Sequence, residues 1–460
     1  MADITINTGT SYQTFLGWQA TAQAAHQYDA VTDAYEYPSS TYANYKDDLL
    51  DAMLDLGINS LRLEISVADV NATGYADSPN NAAIQPSTAD PSDWYFDRVD
   101  TAIESIVEPY RTLLEAQGES LEVVLCIVDF RAAGYQLELT PSEYAFFVNY
   151  TVDHIWNTHG FRPDYIEAIL EPDGGTNSGE WTAARCADNI VSAAAELDSN
   201  GHTGIGWIAP STTNGPGCLG FYQSMKSANA SLEALIDVVA YHRYVDFSGQ
   251  LPTLTTEVEG DGKTTAMLEL IAATHLTLYS DLVDGHNSSW QQYTLTFPYT
   301  GGGGDTDDGS QYFLVNKSTW AVTLGERTKY LRHYMKYVRS GAVMKGVTNE
   351  SSGYQGVPFQ NANGSYVVPI KCTTSGSIDV IGLPAGTYSI RYTTGDGSSA
   401  PSAYDQALSD QTIGTGENVS FTMPGAGVVT VFDVNYNATP SPSATMTITG
   451  AALGGGVKLN

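Results

Sequence analysis

The sequence predicts an α/β chain: a (β/α)8 TIM barrel followed by a C-terminal antiparallel β-sandwich. Three observations carry that expectation. Short apolar runs alternate with amphipathic stretches from the N-terminus to about residue 340, the alternation that builds parallel sheets covered by helices. Beyond Gly341 the helical period disappears, and short alternating segments are separated by Gly, Pro, Asn and Asp, as in a sandwich. The length of 460 residues leaves room for one further small domain, because a barrel of this kind takes roughly 250 residues.

Barrel strands are expected at 13–18, 58–66, 121–129, 165–171, 203–210, 237–244, 253–257 and 290–296. Helices are expected at 45–56, where Leu49, Leu50, Met53, Leu54 and Leu56 fall on one side, and at 143–157 behind the start signal Thr140-Pro141-Ser142-Glu143. Further helices are expected at 183–198, 264–282 and 326–339. The barrel therefore occupies 9–340 and the sandwich 341–436. Residues 2–8 alternate Ile-Thr-Ile and are a candidate extra sandwich strand, whereas 437–460 is a Pro/Ser/Thr/Gly linker or tail.

Charge narrows the function classes. The 52 acids and 20 bases leave a net charge of −32, a surface that repels phosphate backbones and anionic lipid, so no nucleic-acid partner is expected. No apolar run is long enough to span a membrane. Cys126, Cys186, Cys218 and Cys372 lie far apart with no zinc-ligand spacing, so no metal is expected. A Cys186–Cys218 disulfide is possible in a secreted chain. The Met1-Ala-Asp-Ile-Thr-Ile start lacks signal-peptide character, but nine Asn-x-Ser/Thr sites favour an extracellular protein whose signal has been removed. The 301–309 loop, Gly-Gly-Gly-Gly-Asp-Thr-Asp-Asp-Gly, lacks the Lys-Ser/Thr of a phosphate loop and the pattern of a calcium loop. It reads as solvated.

A barrel of this type carries its site at the C-terminal ends of its strands. Two expected strands end in glutamate, Glu171 on the fourth and Glu257 on the seventh. Facing carboxylates are what glycosidic bond cleavage needs: one protonates the leaving oxygen and the other attacks the anomeric carbon or activates water. Glu259 shares one strand side with Glu257, but the apolar run stops at Glu257. The other strand ends offer sugar-binding side chains: Trp18 on the first, Arg62 on the second, Asp129 on the third, His242 and Tyr244 on the sixth and Trp290 on the eighth. Trp181 and Trp94, in loops, are further candidates for the cleft wall. Arg62, inside an apolar strand, requires a carboxylate partner; Glu257 is the expected one, with Glu64 or an acid at the barrel bottom as the alternative.

The motifs Gln-Thr-Phe-Leu-Gly-Trp (13–18), Leu-Arg-Leu (61–63), Glu-Pro (171–172), His-Arg-Tyr (242–244) and Thr-Glu (256–257) resemble those of clan A retaining glycoside hydrolases. With the sandwich after Tyr-Leu-Arg-His-Tyr-Met-Lys-Tyr-Val-Arg-Ser-Gly-Ala (330–342), the chain looks most like glycoside hydrolase family 30 or a divergent relative. The resemblance implies a retaining β-glycosidase with Glu171 as acid/base, Glu257 as nucleophile, a carbohydrate substrate and no cofactor. One position departs from the family pattern: Leu170 stands where Asn normally bonds the sugar 2-hydroxyl, with Asn177, Asn214 and His242 as candidate substitutes. Two other classes fit the same features: an inverting glycosidase, and a non-catalytic carbohydrate-binding or cell-surface protein on a degenerate barrel.

Overall fold

The structure, a computed structural model, describes residues 2–24, 27–29, 34–36, 42–65, 96–129, 140–174, 181–245, 247, 249–296, 307, 309–316 and 318–437. Trp94, Asn177, most of the 301–309 loop and the tail beyond 437 lie outside the described residues.

Eight parallel strands close into a barrel: β1 (Gly17–Ala24), β2 (Ser60–Ile65), β3 (Glu122–Ile127), β4 (Tyr165–Glu167), β5 (Gly206–Ile208), β6 (Ile236–His242), β7 (Thr264–Glu269) and β8 (Asn287–Thr296). Strand β2 explains the pattern. In Ser60-Leu-Arg-Leu-Glu-Ile65, Leu61, Leu63 and Ile65 join the large core under the helices, so Ser60, Arg62 and Glu64 face the lumen by alternation. Val124, Ile208, Val238, Ala240, Ala266 and Leu268 form a separate apolar cluster, drawn from β3 and β5–β7, that fills the lumen beneath the polar groups.

The helices are α1 (Lys46–Leu56), α2 (Asp97–Ala102), which continues through a π-turn (Ile103–Val107) into α3 (Glu108–Ala116), α4 (Pro141–His159), α5 (Ala183–Ser199), α6 (Gly215–Ala228), α7 (Leu251–Gly260), α8 (His275–Val283) and α9 (Thr328–Met335). The α4 start signal acts as a capping box: the Thr140 hydroxyl accepts from the Glu143 amide, and the Glu143 carboxylate accepts from the Thr140 amide.

Two expectations fail around the seventh strand. Residues 253–257 are helical, inside α7, because Leu251, Leu254, Thr255 and Val258 bury one face at helical spacing and Pro252 occupies the first turn. The strand is instead Thr264–Glu269, buried at five of its six positions, where a helix is expected from the sequence. The first strand is also displaced. Residues 13–15 end a long strand, Ala2–Phe15, and β1 begins only at Gly17.

Ala2–Phe15 runs antiparallel to Ala342–Asn349 and parallel to Gly376–Ile381, so the chain begins in the sandwich and crosses at Leu16 into the barrel. Strand Val419–Met423 alternates buried and exposed residues, one face covering a core of Ile4, Ile6, Val368, Ile370, Ile378, Val380, Ile390 and Val431. Helix α9 joins the two bodies. The imidazole of His333 lies between the Thr393 and Thr430 hydroxyls at 2.8 and 3.1 Å. Arg332 pairs with Asp55 of α1 at 2.8 Å and with Asp405 of the sandwich at 3.0 Å. Phe359, Val367, Val428 and Phe432 of the sandwich belong to the barrel's own core cluster. All four cysteines are buried free thiols, so Cys186 and Cys218 do not pair. No described helix is long and apolar enough to cross a membrane.

The shared core makes the sandwich a brace. Deletion of residues 343–460 uncovers Tyr330, Tyr334 and Phe15, all fully buried, and the truncated protein is expected to be insoluble; a soluble, folded fragment would show that the sandwich is only appended. Burial holds His333 down to about 3 and His275 down to about 4. Both are neutral in the fold and take up protons on unfolding, so stability falls as pH drops from 6.5 toward 4, by about 1.4 kcal/mol per pH unit for each histidine. Urea titrations of His333→Asn should show a shallower slope in that window than the parent chain.

Candidate active site

Arg62 lies on the lumen side of β2 with a fully buried guanidinium, surrounded by carboxylates. Its Nη2 donates to Glu269 at 2.7 Å and to Glu64 at 3.0 Å, its Nη1 stands 3.7 Å from Glu167, and its Nε donates to Thr21 at 3.1 Å. Burial would depress the guanidinium's pKa, but Glu167 first, and Glu64 and Glu269 after it, raise it further above its ordinary value. Glu167 also accepts from the Ser211 hydroxyl at 2.5 Å.

Glu269 ends β7, opposite His242 at the end of β6, and a register irregularity between Met267 and Glu269 precedes it. Such an irregularity re-aims a side chain: Leu268 lies in the lumen cluster, yet Glu269, the next residue, also reaches Arg62. Tyr244, two residues past β6, donates its hydroxyl to Glu269 at 2.7 Å. Burial alone would raise the pKa of Glu269; His242, Arg62 and the Tyr244 hydrogen bond outweigh it and hold the carboxyl below its usual range. These neighbours favour the ionised form of Glu269. Burial instead raises Glu64 and Tyr244.

Glu171 stands four residues beyond β4. Its amide donates to the Ser211 carbonyl at 3.0 Å and its carbonyl accepts from the Gly174 amide at 2.9 Å. The turn requires φ of 49° at Glu171, matched by 54° at Ser211, a left-handed conformation that costs on the order of 1–3 kcal/mol for a side-chain-bearing residue and collects at functional sites. The Glu171 carboxylate lies 2.7 Å from Nδ1 of His242. Burial would lower the pKa of His242; the charge of Glu269, and the hydrogen bond and charge of Glu171, raise it above its ordinary value. One carboxylate oxygen from each of Glu171 and Glu269 and a nitrogen of His242 lie within 4.8 Å of one another. Both Glu269 oxygens already accept hydrogen bonds, and Arg62 supplies the positive charge, so the donor set favours a carboxylate pair over a metal cage.

The residues expected from sequence divide clearly. Arg62, His242, Tyr244 and Glu171 meet in one cluster. Glu257 does not: it lies on the outer face of α7, paired with Lys226 at 3.2 Å, because its segment is helical. Glu259, also on α7, pairs with His286 at 2.7 Å. Trp18 and Trp290 are fully buried and face each other across β1 and β8, with their indole N–H groups bonded to the Val338 carbonyl and to Asp281. They are core residues, since β1 and β8 run on to Ala24 and Thr296 and leave neither tryptophan at a strand end. Asp129 and Trp181 are buried and bond one another at 2.9 Å, bracing the rim without presenting a stacking face. Sequence reasoning missed Glu269 and Glu167, and it held Glu64 only as an alternative partner of Arg62, a pairing that the structure forms at 3.0 Å. Glu269 carried a readable signal: Thr-Thr-Ala-Met-Leu-Glu is an apolar run closing on an acid, like Tyr-Ile-Glu-Ala-Ile-Leu-Glu at 165–171.

No protein-family model matches the chain, and no curated protein matches it in sequence. Solved structures do match. The catalytic domain of a family 30 xylanase C from Talaromyces cellulolyticus is 16% identical with a TM-score of 0.67, over 94% of this chain and 99% of that one. A family 30 endoxylanase from Clostridium papyrosolvens is 15% identical with a TM-score of 0.62, over 94% and 99%, and an endo-β-1,6-glucanase is 15% identical with a TM-score of 0.64, over 93% of each. The fold is that of the family 30 glycoside hydrolases. A second concavity, lined by Glu122, Asp164, Tyr165 and Asp237, opens at the strand starts, opposite the end where barrels of this type work.

Removing the buried cation tests the cluster. Arg62→Met leaves Glu167 buried and uncompensated, and it is expected to cost about 3–5 kcal/mol in urea unfolding. The Arg62→Met/Glu167→Gln double variant should recover part of that loss. A single-variant cost below about 1 kcal/mol would place the energetic centre elsewhere.

Proposed function

We propose that the protein is a retaining β-glycoside hydrolase acting on a β-linked oligo- or polysaccharide, with Glu269 as nucleophile and Glu171 as acid/base. The observation that carries the proposal is the approach of the two carboxylates to within 4.8 Å. Retaining enzymes hold the pair about 5–5.5 Å apart, and inverting enzymes about 6.5–9.5 Å apart to admit a water. The xylanase and glucanase activities named for the fold neighbours point the same way.

In the first step Glu269 attacks the anomeric carbon, the glycosidic C–O bond breaks and the leaving oxygen takes the proton of Glu171. In the second step Glu171 takes a proton from water, the water oxygen attacks the same carbon and Glu269 departs. Arg62 and Tyr244 keep Glu269 ionised and, each bonding one of its oxygens, fix the orientation in which the carboxylate meets carbon. His242 anchors Glu171 at 2.7 Å and responds to the exchange of charge between the two glutamates. No cofactor enters this scheme.

Glu269→Ala should lower kcat by at least ~10⁴-fold and regain turnover in azide, releasing a glycosyl azide of inverted configuration. Glu257→Ala should stay within about twofold of the parent, as befits a surface ion pair. Azide rescue at Glu257 instead of Glu269 would reverse the assignment. The screening panel begins with xylan and β-1,6-glucan oligosaccharides; binding without hydrolysis of any β-linked sugar would favour the non-catalytic reading.

Leu170 adds a second expectation. It is buried, its amide donates to the Ile127 carbonyl, and its side chain cannot donate to a 2-hydroxyl. Among the candidate substitutes, the Nδ1 nitrogen of His242 is committed to Glu171. Matched 2-hydroxy and 2-deoxy substrates should therefore differ less than about tenfold in kcat/KM, roughly 1.4 kcal/mol. A thousandfold difference would mean that another residue has replaced the family Asn.

A further inference from the structure

Away from the cleft, on helices outside the barrel, two histidines converge on one carboxylate. Nε2 of His154 lies 2.7 Å and Nε2 of His159 2.9 Å from the same Oδ1 of Asp100, and the three donor atoms fall within 4.8 Å of one another. Asp100 sits on α2, whereas His154 and His159 occupy the last turns of α4. We propose that Asp100, His154 and His159 form a binding site for a zinc-class divalent cation that ties α2 to α4.

Three features support the site beyond proximity. First, the other nitrogen of His159, Nδ1, lies 3.3 Å from Glu108, so both ring nitrogens face carboxylate oxygens. A neutral imidazole has one N–H. When Nδ1–H donates to Glu108, the Nε2 lone pair points at Asp100 Oδ1, and a cation between them satisfies both. A carboxylate behind a ligating histidine is the usual outer partner of a metal-bound imidazole. Second, the His154 ring is fixed by stacking on Phe96, 3.8 Å between centroids at an interplanar angle of 9°, which limits the rotamers that binding must freeze. Third, the site lies at the C-terminal end of α4, whose unpaired carbonyls favour positive charge.

The donor set selects the metal class. Two imidazoles and one carboxylate suit zinc and its neighbours, whereas calcium and magnesium take oxygen ligands. Metal–ligand distances of about 2.0–2.2 Å require the nitrogen–oxygen contacts to open by roughly half an ångström, a movement within reach of the half-exposed Asp100 side chain. The remaining coordination position is left for water. No barrel strand supplies a ligand, so the expected role is to hold the helices and not to perform chemistry. The sequence hides the site: its ligands are 54 and 5 residues apart and include no cysteine, outside the familiar zinc spacings.

Titration calorimetry of chelator-stripped, untagged full-length protein with ZnCl₂ should give one saturable site. Loading with CoCl₂ should give the visible d–d bands of a site with nitrogen and oxygen ligands. His154→Gln, at a partly exposed position, should abolish the saturable phase, and Glu108→Gln should weaken it about 10–100-fold. Hydrolytic activity, if present, should be unchanged in both variants. Absence of a saturable phase in the parent chain, or an equal phase in His154→Gln confirmed as folded by circular dichroism, would overturn the proposal.

Discussion

The fully buried guanidinium of Arg62 is the constraint on which the functional end of the barrel depends. A charge with no access to water is tolerable only where carboxylates surround it and hydrogen bonds satisfy its donors. Glu64, Glu167 and Glu269 come from β2, β4 and β7 to meet that demand, and Thr21 of β1 accepts from its Nε. Four strands are thereby tied to one side chain. Three acids around one base leave surplus negative charge, which the site absorbs in two ways. Burial raises the pKa of Glu64, and His242 is raised by the neighbouring acids. Glu269, held by Arg62, His242 and Tyr244, is left ionised.

The reactive groups sit where regular pairing stops. Glu269 follows a register irregularity, and Glu171 and Ser211 both adopt positive φ. A strand continued in regular register would alternate its side chains and could not aim both Leu268 and Glu269 inward. The barrel supplies rigidity up to the last residues of each strand, and the departures from regularity supply direction. This division accounts for the costly backbone at Glu171, which the hydrogen bonds to Ser211 and Gly174 hold in place.

Much of this was legible in the sequence, and the failures trace to where strands begin and end. The fold class and the placing of Glu171, His242 and Tyr244 at one end of the barrel followed from runs ending in polar groups, and the need of Arg62 for a carboxylate followed from its apolar strand. The seventh strand was misplaced because Thr253-Leu-Thr-Thr-Glu has the β-branched content of a strand, whereas its burial follows a helical period set by Leu251, Leu254 and Val258. That one error pointed to Glu257 in place of Glu269, the carboxylate proposed here as nucleophile. Trp18 and Trp290 were assigned to the cleft by a similar slip in strand ends, and the structure buries both in the core. Glu167 escaped the reading of strand ends because the run was carried on to Glu171, whereas the strand stops at Glu167, and its burial is explained only by the cation opposite.

The same physics explains why the fold is recognisable at 16% identity while no sequence family is. A barrel asks of most positions only the right period and approximate volume: strands that bury both faces, helices that bury one. Hydrophobic residues exchange within such positions at small cost as long as volume is kept, so identity can drift while the architecture persists. Positions within the Arg62 network have no such freedom. Replacing one member strands a charge among the others, and the loss spreads to every strand the guanidinium joins. Leu170, whose neighbour Glu171 is held and whose own side chain bonds nothing polar, lies just outside that network. It is the kind of position at which a chain can depart from its structural relatives and alter what the site accepts while the two carboxylates stay in place.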